Sequence, residues 1–145
     1  MIIRDAEITD FDDLNRLGIA FAHDAGQVDV DPETLALTIG NLIESGILKV
    51  AVNGSVIGCA GALVFPHWWN ASELVAQELF WFVDEDYRNT SAGIRLLLAL
   101  ERSAKEMGAK KMMMLCLEDL DGEKVARMYN KLGYTPQEQT FVKDL

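Results

Sequence analysis

Leu79 to Ala104 reads L-F-W-F-V-D-E-D-Y-R-N-T-S-A-G-I-R-L-L-L-A-L-E-R-S-A, and its texture changes twice. The aromatic run ending at Val83 has strand character, the polar segment Asp84 to Ala92 cannot continue it, and an apolar helical spacing resumes at Ile94. The stretch therefore predicts strand, loop and helix. Its loop places Arg88, Asn89, Thr90, Ser91 and Gly93 where the helix begins. The unpaired N–H groups of a first helical turn, aided by the helix dipole, favour an anion there, and a phosphate is the natural occupant. Gly and Ser also serve plain turn geometry, so the loop alone does not decide between the two.

Working outward, Ser91 to Met107 is predicted helical, apolar round most of its circumference, and ended by Gly108. Lys111 to Leu117, K-K-M-M-M-L-C-L with its preceding lysine, is apolar on both faces, which predicts a central strand covered on both sides. Strand, helix, strand implies a right-handed parallel crossover. Asp121 is the expected cap of a last helix carrying Val125, Met128, Tyr129 and Leu132 and closed by Gly133, and Gln139 to Lys143 is a candidate final strand.

On the other side, Val75 to Val83 is the strand that enters the loop, and Asn53-Gly54 joins strands Ile47 to Val52 and Ser55 to Phe65 as a hairpin. Pro66-His67-Trp68-Trp69-Asn70 is predicted as the loop between Ser55 to Phe65 and Val75 to Val83. Met1 to Arg4 is a short strand. The helix that follows Asp10 carries Phe11, Leu14, Leu17 and Phe21 on one face, and Asp31-Pro32 starts a second that stops at Ser45-Gly46. His23 to Val30 is a polar connection between the helices.

A chain of 145 residues, half hydrophobic and a quarter charged, suits one globular domain, 1–145, with no repeat or linker. Its net charge of −10 opposes nucleic acid and anionic membrane and attracts amines or basic peptides. Two Cys and two His without a C-x-x-C give no metal site, and Cys59 and Cys116, both in predicted strands, are expected as buried thiols. No apolar run reaches the roughly 20 residues that span a bilayer, and the N-terminus lacks a leader pattern. A cytoplasmic protein is the expectation.

Two local patterns carry a resemblance. D-E-D-Y-R-N-T-S-A-G-I-R-L-L-L-A-L-E-R-S-A-K-E-M-G-A-K-K-M resembles the cofactor motif of the GNAT superfamily of acetyl-CoA-dependent N-acetyltransferases, whose pattern is Arg or Gln, two residues, Gly, one residue, Gly or Ala. V-A-R-M-Y-N-K-L-G-Y resembles that superfamily's later helix. With the opening I-R-D-A-E-I-T-D-F-D-D-L the likeness runs over nearly the whole chain, and it is nearest to the small standalone members that tailed bacteriophages encode. For a phage protein the compartment would be the host cytoplasm. Ser91 stands where the motif usually has Gly, and Gly122 where many relatives have an Asn.

The resemblance implies a mixed α/β fold, six to seven strands flanked by about four helices. It further implies acetyl transfer from acetyl-CoA to a primary amine of a small molecule or protein, by direct attack. Phe82 and Val83 would pair with the pantetheine arm between two diverging strands, Arg88, Asn89, Thr90, Ser91, Ala92 and Gly93 would hold the pyrophosphate, and a backbone N–H near Val83 would face the carbonyl oxygen. Tyr129 would be the general acid toward the leaving sulfur; its plain alternative is a packing residue on an apolar stripe. A phenol is a weaker acid than a thiol by roughly 1.5 units on reference values, which makes hydrogen bonding to sulfur an easier task than full proton transfer. Glu78, an acid in an apolar strand, is the candidate base, against a structural ion pair, an exposed edge, or a water chain doing the same work. Strict alternation groups it with Phe80 and Phe82, and a bulge would change that phase.

Phe21 and His23 sit where the superfamily often builds its acceptor site, and His67 and Trp68 suit a cationic amine through π attraction. A hydrophobic lid or a homodimer contact accounts for that aromatic loop equally well. A non-catalytic acyl-CoA-binding or interaction module of the same fold is the alternative for the whole chain.

Overall fold

The computed structural model describes residues 1–26, 29–117 and 120–145. Two compact units divide the chain, Met1–Leu115 and Cys116–Leu145. The first contains β1 (Ile2–Asp5), α1 (Phe11–Asp24), α2 (Pro32–Ser45), β2 (Ile47–Asn53), β3 (Ser55–His67), β4 (Asn70–Val83), α3 (Ala92–Glu106) and β5 (Ala109–Met113). The strands form one sheet in the order β1-β2-β3-β4-β5, antiparallel except for the parallel pair β4 and β5. The mixed α/β fold and the parallel crossover through α3 are as expected.

Each face of the sheet has its own core. α3 buries Ala92, Leu96, Leu100 and Ala104 against Ile57, Ala60, Ala62, Ala76 and Val83. α1 and α2 bury Leu14, Leu17, Ile39 and Leu42 against Val50, Cys59 and Phe82 on the other face. At about 1.5–3 kcal/mol for each fully buried leucine, these stripes rather than helix propensity hold the three helices in place. Arg4 fastens β1 to the start of α1, its guanidinium meeting both oxygens of Asp10 at 2.7 and 2.8 Å, while Asp10 also accepts the Glu7 N–H. Asp31 caps α2 through the Thr34 N–H, with Pro32 in its first turn as the sequence predicts.

Several expectations need correction. Among the described residues the sheet has five strands, not six or seven, and residues 139–143 are outside any strand; a β-prone run becomes a strand only where it finds a ladder to join. β5 stops at Met113 and is an edge strand, half-exposed rather than central. The chain leaves the ladder because the Leu115 N–H is taken by the Glu78 carboxylate at 2.9 Å. Cys116 falls beyond that strand and is exposed, its thiol donating to the Gly122 carbonyl, while Cys59 is buried as predicted. The predicted 66–70 loop is mostly strand: His67 pairs with Asn70, leaving Trp68-Trp69 as the turn, and Pro66, which has no N–H, sits at a register shift where none is required. The Asn53-Gly54 hairpin forms, with Gly54 alone at positive φ, 83°. α3 is buried along one stripe only, and Leu98 is exposed.

In the second unit, α4 (Gly122–Lys131) follows a left-handed Asp121, φ 54°, which takes the cap position without a side-chain capping bond. Gly133, φ 92°, ends the helix, and the Tyr134 N–H returns to the Tyr129 carbonyl at 3.0 Å. The rings of Tyr129 and Tyr134 lie 5.4 Å apart.

Candidate active site

β4 and β5 separate at Glu78. Their pairing runs from Leu74 and Ala109 to Gln77 and Met113, and β4 then continues to Val83 without a β5 partner. A bulge coincides with the separation. Glu78 pairs with Ala62 and Phe80 with Gly61, so Leu79 is the extra residue. Residues paired across an antiparallel ladder share a face, and Ala62 belongs to the core beneath α3. Glu78 is therefore on the α3 face with Trp81 and Val83, not with Phe80 and Phe82 as strict alternation has it.

Only 5 % of Glu78 is exposed. Burial pushes its carboxyl up to about 7, opposed in part by the hydrogen bond from the Leu115 N–H. Among the described residues no cation pairs with it, and it is not at an exposed edge. A carboxyl poised near neutrality at a gap between strands suits proton transfer.

Val83 leads into the loop, which folds as a 3-10 turn at Glu85–Tyr87 and enters α3 at Ala92. The Thr90 hydroxyl donates to the Tyr87 carbonyl at 2.7 Å and accepts the Ala92 N–H at 3.2 Å, which caps the helix. Ser91, at φ −78°, makes no capping bond with its side chain. A serine in place of the usual glycine thus sits in ordinary backbone. The N–H groups of Gly93 and Ile94 have no carbonyl one turn back, since the first bond of the helix is Arg95 N–H to Ser91.

Trp81 and Gly93 set the spacing of this helix end from the sheet. The indole Nε1 donates to the Gly93 carbonyl at 3.0 Å, and a Cβ at Gly93 would meet the same ring at 3.0 Å. No sequence signal short of the motif itself marks Trp81 for that role.

Arg88 is not a bare cation. Its Nε donates to the Val83 carbonyl at 3.0 Å, its other arm pairs with Asp24 at 2.6 Å, and its guanidinium lies 5.1 Å from the Phe82 ring centre. Phe82 in turn meets Phe21 edge to face at 5.9 Å. Asp84 is held separately by Arg16 at 3.0 Å. His23, largely exposed, has Nδ1 3.8 Å from Asp24. So Phe21, His23, Asp24, Phe82 and Arg88 form one cluster between the end of α1 and the loop.

His67 and Trp68 are elsewhere. They mark the β3–β4 turn, eight residues before Glu78 at Asn70, or about 26 Å along an extended strand. There the His67 ring lies tilted against Trp69 at 3.5 Å, and Trp68, 86 % exposed, meets Trp69 edge to face at 4.8 Å. Tyr129 belongs to α4 in the second unit.

Residues 20–134 match the family model described as "Acetyltransferase (GNAT) family". The chain belongs to the GNAT family. Its fold is shared with an acetyltransferase of Trypanosoma brucei at TM-score 0.76, 22 % identity and 99 % coverage of both chains. A predicted acetyltransferase with acetyl-CoA from Clostridium acetobutylicum superposes at TM-score 0.78 with 17 % identity, covering 99 % of this chain and 95 % of the other. Glucosamine-6-phosphate N-acetyltransferase from Arabidopsis thaliana gives TM-score 0.73 with 18 % identity, covering 99 % and 97 %. No curated protein matches this chain.

GNAT acetyltransferases use acetyl-CoA as acetyl donor. The residues present fit it on three counts: unsatisfied N–H groups at the start of α3, a Ser91 hydroxyl beside them, and a strand edge from Glu78 to Val83 with no β5 partner. Among the described residues, no three His, Cys, Asp or Glu side chains gather as a metal site, and no helix is long and apolar enough to cross a membrane.

Proposed function

We propose that this GNAT chain, acting as one domain over residues 1–145, acetylates a primary amine of a small molecule or protein by direct attack on acetyl-CoA. The observation that carries the proposal is the buried Glu78 carboxyl at the point where β4 and β5 part. Acetyl-CoA supplies the acetyl group as a thioester: a C–N bond replaces the C–S bond, the amine nitrogen loses one proton and the sulfur gains one. Phe82 and Val83 offer a strand edge to the pantetheine arm, and the loop from Arg88 to Gly93 offers N–H groups and the Ser91 hydroxyl to the pyrophosphate.

Glu78 receives the amine proton, directly or through one water. Near pKa 7 it is ionised enough to accept and still basic enough to pull. Excess negative charge on the protein draws a cationic amine toward it. For Tyr129 the proposal rests on the V-A-R-M-Y-N-K-L-G-Y motif, with the phenol hydrogen-bonding the departing sulfur.

Release of free thiol from acetyl-CoA across a panel of amines tests this reading. Turnover that falls at least a hundredfold in Glu78→Gln and at least tenfold in Tyr129→Phe supports it. Acetyl-CoA binding without turnover on any amine would instead make the protein a non-catalytic acyl-CoA-binding module.

A further inference from the structure

On the sheet face opposite α3 there is a second feature that the loop and Glu78 do not use. A cavity of about 200 Å³ opens between α1, α2 and the sheet, bounded by Phe21 and Ala22 from α1, Leu35 from α2, Cys59 from β3, and Phe80 and Phe82 from β4. Among the described residues, no lining side chain carries nitrogen or oxygen. Its sulfur is the Cys59 thiol, which burial pushes up to about 12 and so keeps neutral. Its mouth residues, Phe21, Ala22, Leu35 and Phe80, are half-exposed, whereas Leu17 and Ile39 behind them are fully buried.

Resting on the acetyltransferase reading above, we infer that this cavity receives the side group of the acceptor, and that the acceptor is a small primary amine bearing a compact apolar group, an aryl ring or branched alkyl chain. Size argues for it: an apolar cavity of about 150 Å³ is known to take benzene, so this one holds a phenyl ring and a carbon or two more. Chemistry argues likewise, because a hydroxyl or amide placed here would lose its water without gaining a partner. Position completes the case. Phe80, in the cavity wall, is the first residue past the Leu79 bulge, about 7 Å along the strand from Glu78, whose own side chain is on the α3 face, so that the amine proton would reach it across the β4–β5 gap. The start of α3, which suits the diphosphate, lies on the opposite face of the sheet. An amine entering from the cavity therefore meets the β4–β5 gap from the side the cofactor does not occupy. Its ammonium group stays at the mouth, in the field of an acidic protein.

Steady-state transfer to phenethylamine and isopentylamine, compared with ethanolamine and spermidine, tests the inference. The expected kcat/KM is at least tenfold higher for the apolar pair. Ala22→Leu, which fills the cavity, should remove that advantage through KM, and Leu35→Ala, which enlarges it, should shift preference toward naphthylmethylamine. Equal use of polar and apolar amines, or a preference that neither variant moves, overturns the inference. Amide NMR of the protein with phenethylamine separates the two layers of the argument. If Gly18 and Ala22 resonances shift while no amine is acetylated, the transferase reading fails and the cavity assignment as an apolar-amine site survives. If they stay unmoved at millimolar phenethylamine, the cavity assignment fails by itself.

Discussion

The indole nitrogen of Trp81 and the carbonyl of Gly93, 3.0 Å apart, join the end of β4 to the first turn of α3. Because the ring also occupies the space a Cβ at Gly93 would enter, the helix end that faces the phosphate loop cannot back away from the sheet without breaking this bond. Gly93→Val should lower acetyl-CoA affinity at least tenfold and destabilise the fold by about 1–3 kcal/mol through overpacking. Calorimetric titration with acetyl-CoA beside a urea melt checks both; unchanged affinity would remove the loop from the binding site.

Glu78 links pH to stability in the direction opposite to most carboxylates. Its folded-state value of about 7 lies above the reference value of 4.5, so the folded protein holds the proton more tightly than the unfolded chain. The contribution is complete below about pH 4.5 and is lost as pH rises through 7. Glu78→Gln cannot ionise, and should be more stable than the parent above pH 7 by an amount on the order of 3 kcal/mol, with little difference at pH 5. Thermal melts from pH 5 to pH 9 give the test.

Asp10 runs the usual way. The Arg4 guanidinium holds its carboxyl below the ordinary value, so the stabilisation is present at neutral pH and disappears as pH falls through that lowered value. Asp10→Asn should cost about 1–3 kcal/mol at pH 7, since it also leaves a half-buried guanidinium without its carboxylate, and the loss should shrink below pH 3. Denaturant unfolding at the two pH values measures it.

Asp24 holds Arg88 at 2.6 Å, and a diphosphate competes for the same cation. Asp24→Asn should tighten coenzyme A binding several-fold at low salt, an effect fading at 0.5 M salt, with a stability change within about 1 kcal/mol. Weaker binding in that variant would mean that Asp24 orients Arg88 for the ligand instead of competing with it.

Thiol reactivity distinguishes the two cysteines. Cys59 is buried with its thiol pushed up to about 12, while Cys116 is exposed. An aromatic disulfide reagent at pH 8 should titrate one thiol in the native protein and two in guanidinium chloride.

The sequence made legible what local patterns determine. The strand–loop–helix at Val83 to Gly93, the Asn53-Gly54 hairpin and the Asp31-Pro32 helix start each carry their cause within a few residues, and each is where the residues predict. What depends on pairing was not legible. K-M-M-M-L-C-L has the composition of a central strand, yet β5 ends at Met113 because a carboxylate on another strand captures the Leu115 N–H. The face of Glu78 turns on one extra residue, Leu79, whose unpaired state is a property of the β3–β4 register and not of its own side chain. Arg88 reads as a cation for phosphate, and its partner Asp24 is 64 residues distant. Trp81 reads only as part of an aromatic strand, and the close approach of Gly93 reveals its task.

The most direct test of the account is the pH dependence of kcat/KM for acetyl transfer to phenethylamine, measured in parallel on the parent protein and Glu78→Gln. Ionisation of the amine itself contributes a unit slope throughout, so a base at Glu78 predicts a slope near two below about pH 7 and near one above it, with the lower break absent and the rate at least a hundredfold down in Glu78→Gln. Superimposable profiles with equal rates would contradict a catalytic role for Glu78 and, with it, the mechanism proposed.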